Sequence, residues 1–155
     1  MIENLYRIID DHKITLIEDD LSQLDPLLKG LYFDNIILLH KNIDTSAERT
    51  CVIAEEVGHY FTTVGDILDK TELHKAKEEE KARRWATNEL IDPTMFIDAF
   101  KAGVSNRWEL SHFLGLTEEF IEEALVYFKK LYGERITISE YTIHFDPLWI
   151  YKSFE

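Results

Sequence analysis

Residues Thr45 to Val64 read T-S-A-E-R-T-C-V-I-A-E-E-V-G-H-Y-F-T-T-V, and the fold turns on how this stretch is read. On a helix, positions four apart lie one above the other, so Glu55 and His59 share a face and Glu56 sits about 100° round, on its edge. Ala47, Cys51, Ile53, Ala54, Val57, Gly58, Tyr60, Phe61 and Val64 cover most of the remaining circumference, which predicts a helix buried on nearly all sides except its polar sector. Charged groups that face inward need compensation, and a metal ion supplies it. Asp44, Thr45 and Ser46 suit a helix cap, and Glu48 follows Thr45 by three residues as a capping box requires, so the helix is expected to begin near Thr45. Gly65, just after Val64, suits its end.

A helical H-E-x-x-H presents two imidazoles on one face and a Glu as general base. Here Glu55-Glu56-Val57-Gly58-His59 follows that spacing with Glu in place of the first His. Upstream lies Gly30-Leu31-Tyr32-Phe33-Asp34-Asn35-Ile36-Ile37-Leu38-Leu39, and downstream Glu79-Glu80-Lys81-Ala82-Arg83-Arg84-Trp85-Ala86. Together these segments resemble the ImmA/IrrE family of zinc-dependent metallopeptidases, in which a hairpin precedes the active-site helix and an E-x-x-A-x-x-F-A segment follows it. Trp85 stands where Phe is usual. The run Ala54-Glu55-Glu56-Val57-Gly58-His59 is similar to that of members carried by phages and mobile elements.

The resemblance implies metal ligation by Glu55, His59 and Glu79, with Glu56 as the catalytic base and Tyr60, His74 or Glu80 in auxiliary places. Zinc is the expected ion. Two carboxylates make the donor set more anionic than the usual one, which brings manganese, magnesium or iron into range. Taken without the resemblance, Glu55 and Glu56 read as solvated helix positions, His59 as a hydrogen-bonded core imidazole, and the run Glu78-Glu79-Glu80 as a solvated helix face. The match turns Glu79 inward and Glu78 outward, with Glu80 the alternative if the register is shifted by one residue.

Composition bounds the rest. A chain of 155 residues with 45% hydrophobic and 12% aromatic side chains fits one folded domain, or one with a small appendage. No apolar run approaches the roughly 18 to 20 residues that span a bilayer, and Met1-Ile2-Glu3-Asn4 lacks the basic start of a secretory signal, so the expected location is the cytoplasm. Cys51 is the single cysteine, which excludes an internal disulfide and a thiolate zinc cluster and reads as core packing. A formal net charge of −13 opposes attraction to nucleic acid or anionic lipid and favours a protein partner.

Outward from the central helix, apolar residues at Ile2, Leu5, Ile8 and Ile9 predict a helix over 2–11, and Lys13 to Ile17 an edge strand. Leu31 to Phe33 and Ile36 to Leu39 flank Asp34-Asn35, which tolerate the positive φ of a tight turn, so an antiparallel hairpin is expected there. A second long helix is predicted over Lys75 to Leu90, with Arg83 and Arg84 one turn on from Glu79 and Glu80. A short helix follows over Thr94 to Ala102. Asn106 to Leu114 and Thr117 to Tyr132, joined at Gly115-Leu116, resemble a helix-turn-helix, a common appendage in the family. Glu118, Glu119, Glu122 and Glu123 on its second helix oppose DNA. Arg135 to Phe145 alternates around Ser139-Glu140 as a wing-like hairpin, and Trp149, Tyr151 and Phe154 are expected to pack back on the body or to meet a partner.

The expectation is therefore an α+β fold. It has a zincin-like metallopeptidase core over 1–103, mostly helical with a small antiparallel sheet, and helix-turn-helix-like helices with a β-hairpin over 104–155 packed on it. The function implied by the resemblance is cleavage or inactivation of a transcriptional repressor of a phage or mobile element. The alternative is a non-catalytic protein that keeps the peptidase fold and captures a regulator.

Overall fold

The computed structural model describes residues 1–63 and 71–154. The chain forms two compact units, Met1–Leu90 and Ile91–Glu155. The division falls at the end of the second long helix, and the short helix after it groups with the later elements.

In the first unit α1 (Ile2–Asp11) buries Leu5 and Ile9, two of the residues whose spacing predicts it. Three strands follow, β1 (Thr15–Asp19), β2 (Gly30–Phe33) and β3 (Ile36–His40), in the order β1-β3-β2. β2 and β3 form the expected antiparallel hairpin, with Asp34 at φ 46° and Asn35 at φ 62° in its turn. Both are residue types that visit this region at low cost. β1 lies parallel to β3, from Thr15 opposite Ile36 to Asp19 opposite His40, a pairing that no local pattern announces. Among the described residues β1 and β2 are therefore the edges of the sheet.

The helix α2 (Ser46–Thr62) starts where the capping residues place it: the Glu48 N–H donates to Thr45 Oγ1 at 3.1 Å. The expected end at Val64-Gly65 lies outside the described residues. α2 packs on β2 and β3 and on α3 (Glu72–Leu90). Ile37 and Leu39 of β3, Ile53, Ala54 and Val57 of α2, and Ala82 and Ala86 of α3 are all fully buried, and Cys51 lies within this core as expected. Each such aliphatic side chain the size of Leu or Ile removed from water contributes about 1.5–3 kcal/mol. α2 and α3 meet through small residues, Gly58 and Ala82.

The second unit contains α4 (Thr94–Lys101), α5 (Arg107–Leu114), α6 (Glu118–Tyr132) and a sheet of β4 (Arg135–Ile138), β5 (Tyr141–Phe145) and β6 (Leu148–Lys152). Asn106 caps α5 by accepting from the Glu109 N–H at 2.8 Å, and Thr117 caps α6 by accepting from the Phe120 N–H at 3.2 Å. Between them Gly115 takes φ 67°, the left-handed conformation that ends α5. Phe96, Phe128 and Phe145 are fully buried and in ring contact, with Tyr132 stacked on Phe128 and Phe145.

β4 and β5 are the expected hairpin, turning at Ser139 with φ 54°. The aromatic tail behaves differently from expectation. Leu148–Lys152 is a third strand, antiparallel to β5, and it leaves Trp149 64% exposed; beyond it Phe154 is 91% exposed, so these two do not pack back. The alternation that puts Leu148 and Ile150 on the covered face puts Trp149 and Tyr151 on the open one. Among the described residues no helix is long and apolar enough to cross a membrane.

Candidate metal centre and cleft

The polar sector of α2 opens into a cleft of about 530 Å³ in the first unit. Its walls are Gly30 and Tyr32 of β2, Val52, Glu55, Glu56 and His59 of α2, and Glu79 and Arg83 of α3, with Leu27, Leu28 and Lys29 leading into β2. Three turns of local logic meet here. The i, i+4 spacing puts Glu55 and His59 on the cleft, α3 brings Glu79 across from them, and the β2 edge closes over Glu56.

His59 Nε2 stands 3.2 Å from Glu79 Oε1, and on its other side His59 Nδ1 is 3.4 Å from Thr63 Oγ1. The first distance bears on whether an ion suits these residues. Two donors each about 2.0–2.1 Å from a tetrahedral zinc lie roughly 3.3–3.4 Å apart, so the Nε2 and Oε1 atoms are already separated nearly as ligands of one ion would be. An imidazole with carboxylates is a donor set that zinc, manganese or iron accepts. Glu55 lines the same cleft, but among the described residues no group of three His, Cys, Asp or Glu side chains is gathered closely enough to hold an ion. Two of the three expected ligands thus meet directly.

Glu56 is 8% exposed. Burial pushes its carboxyl up to about 7, and the negative charges of Glu55 and Glu79 add to the rise, while the charge of His59 and a hydrogen bond from the Tyr32 backbone N–H oppose it. A carboxyl so placed exchanges its proton near neutral pH, which is what a general base that later acts as an acid requires. For His59, burial works against the imidazolium, but the hydrogen bond with Glu79 and the charges of Glu79, Glu56 and Glu55 outweigh it and hold the ring above its ordinary range. The bond from His59 holds the Glu79 carboxyl below the usual range despite partial burial, with the Arg83 charge assisting.

The auxiliary candidates lie elsewhere. Tyr60 is not part of the cleft wall; its hydroxyl is 3.1 Å from His12 Nδ1 and its ring meets those of Tyr32 and Phe61. His74 is exposed and lies 3.3 Å from Thr71 Oγ1 through Nδ1. Glu80 is exposed and pairs with Arg84 at 2.7 Å. The expectation of Glu79 inward and Glu78 outward is corrected: both line the cleft, Glu78 is half-buried, and Glu79, although it meets His59, keeps its side chain 52% exposed, because adjacent positions on α3 differ by about 100° and the cleft is open on that side. Residue types alone did not reveal the Tyr32 N–H or the cleft positions of Lys29 and Lys75. An N–H has no sequence signature, and both lysines read as ordinary surface charges.

A peptidase family model described as the IrrE N-terminal-like domain matches residues 9–126. The chain is 29% identical over 100 residues to a protein from Bacillus subtilis (strain 168) named Metallopeptidase ImmA. That alignment covers 62% of this chain and 59% of the relative, so the chain spans less than two thirds of that protein's length. No solved structure matches the chain.

Proposed function

The chain belongs to the IrrE N-terminal-like peptidase family, and from that premise we propose that it is a cytoplasmic metal-dependent endopeptidase that cleaves and so inactivates a transcriptional repressor of a phage or mobile element. The observation that carries the reading is the meeting of His59 Nε2 and Glu79 Oε1 at 3.2 Å beside the buried Glu56, in one cleft with Glu55. Glu55, His59 and Glu79 would hold the ion, zinc by preference and manganese or iron as alternatives. When bound, a divalent metal polarises a scissile carbonyl and acidifies water.

The chain's own residues do the rest. Glu56 removes a proton from the attacking water and delivers it to the leaving amine, and its carboxyl near 7 suits both transfers. The free edge of β2 offers backbone groups to an extended peptide, which gives affinity without demanding one sequence. A partner that is protein rather than nucleic acid or membrane accords with the net charge of −13. The α5–α6 pair, helix-turn-helix-like in its connection, carries Glu118, Glu119, Glu122 and Glu123 on α6 and suits protein contact better than phosphate contact.

A second reading, capture of a regulator without cleavage, is favoured by one observation: Glu55 stands where the H-E-x-x-H pattern has its first His. Incubation of the zinc-treated chain with candidate repressors separates the two. An enzyme yields fragments that a chelator suppresses, and Glu56→Gln slows their appearance by roughly two to four orders of magnitude, the loss typical of a removed general base. Relief of repression that persists without fragments, and persists in Glu56→Gln, sinks the peptidase reading and leaves capture.

A further inference from the structure

α2 is approached by backbone from two sides, and at each point of approach stands a glycine. A Cβ built on Gly58 would lie 3.0 Å from the Ala82 carbonyl carbon and 3.1 Å from its Cα, and closer still to its oxygen. These are main-chain atoms of α3, which cannot rotate out of the way, so α3 lies nearer to α2 than any other residue at position 58 allows. The consequence reaches the cleft by a short lever. His59 adjoins Gly58, and Glu79 lies one turn before Ala82, about 4.5 Å along the axis. A displacement of α3 at the crossing point is passed to the Glu79 carboxylate nearly undiminished, whereas metal ligands must be placed within about 0.2 Å.

On the other side, a Cβ on Gly30 would lie 2.6 Å from Val52 Cγ1, 2.8 Å from Glu56 Oε1 and 3.0 Å from Glu56 Cγ. Val52 is β-branched and stiff, so the side chain that gives way is Glu56, whose carboxylate oxygen is itself among the atoms the Cβ would meet.

We propose that Gly58 and Gly30 are positioning residues of this site. Gly58 sets the spacing of α3 that brings Glu79 to His59, and Gly30 sets the spacing of β2 that holds the Glu56 carboxylate in place. This rests on the reading of His59 and Glu79 as metal ligands and of Glu56 as base. It divides the work: Gly58 governs affinity for the ion, Gly30 the proton transfer.

The test is zinc affinity of the full chain, measured by competition with a chromophoric chelator, with cleavage followed in parallel. Gly58→Ala is expected to weaken zinc binding about 10- to 100-fold, the range for disturbed support of a metal ligand. In a Glu79→Ala background the same change should add less than about threefold, because neighbours acting through one contact are not additive. Glu79→Asp withdraws the carboxylate by one methylene with the helix contact untouched, and is expected to lose at least about tenfold in affinity, which keeps the spacing requirement measurable even if Gly58→Ala does not fold. Gly30→Ala should keep zinc affinity within about threefold while cleavage falls at least about tenfold. Wild-type affinity in Gly58→Ala or in Glu79→Asp, or independent losses for Gly58→Ala and Glu79→Ala, overturns the role of Gly58. Unchanged cleavage by Gly30→Ala overturns that of Gly30. A wild-type chain that binds no zinc overturns the metal reading itself, and this inference with it.

Discussion

The two units put their buried groups to different use. In the first, the buried residues include His40, Thr50, Glu56 and Thr87, and the carboxyl shifted most clearly by burial, that of Glu56, lies against His59 and Glu79. In the second, the fully buried side chains are led by Phe96, Phe128 and Phe145; among its described residues the buried polar ones are Ser111 and Thr142, and the shifted groups, Glu109 and Lys152, are surface charges answering to local hydrogen bonds. The difference teaches where chemistry can sit. A charge far from water needs partners on every side, and α2 has them because β2 and α3 both come close; an aromatic core asks only for volume and shape.

The largest effect should come from the second unit. Phe128→Ala removes a fully buried ring in contact with Phe96 and Phe145 and is expected to cost about 3–5 kcal/mol of stability by urea unfolding, transfer and cavity terms together. A loss under about 1 kcal/mol would mean that the aromatic cluster is not the core of that unit.

The first unit should answer to pH instead. With the metal removed, the folded state holds the Glu56 proton up to about 7 while the unfolded state releases it near 4.5. At this group the folded form therefore binds more protons across that window, and the Glu56 contribution to stability falls as pH rises through it. Glu56→Gln removes this contribution and leaves that of His59, which is also held above its ordinary range. The variant should match the wild type below pH 4.5 and exceed it above pH 7 by at most about 3 kcal/mol, at 1.36 kcal/mol per pH unit of separation. Equal stability of the two proteins at pH 8 would show that the carboxyl is not held out of water.

What the sequence made legible was local. Thr45 and Glu48 mark the start of α2, Asp34-Asn35 the hairpin turn, Gly115 the break between α5 and α6, and Ser139 the turn of β4 into β5. Each acts within a few residues through a cap or a φ preference. The parallel pairing of β1 with β3 was not legible, because its partners are some 20 residues apart and share no pattern. Nor was β6, which follows Pro147 closely and hides its alternation among aromatic residues on both faces.

In the site, the His59 face follows from spacing, while the choice of Glu79 within Glu78-Glu79-Glu80 came from family resemblance. α3 directs both Glu78 and Glu79 to the cleft and leaves Glu80 to Arg84. The close approach at Gly58 had no signature beyond one small residue beside the histidine, since a glycine in a helix reads as a weakness until its neighbour is known.

The most direct test of the account is anomalous diffraction at the zinc edge from crystals of the full chain grown with zinc. The predicted result is one ion in the first unit, about 2.0–2.1 Å from His59 Nε2 and about 2.0–2.2 Å from a Glu79 carboxylate oxygen, with Glu55 turned in to complete the set. An ion bound elsewhere, with the His59 to Glu79 contact still closed at 3.2 Å, would contradict it.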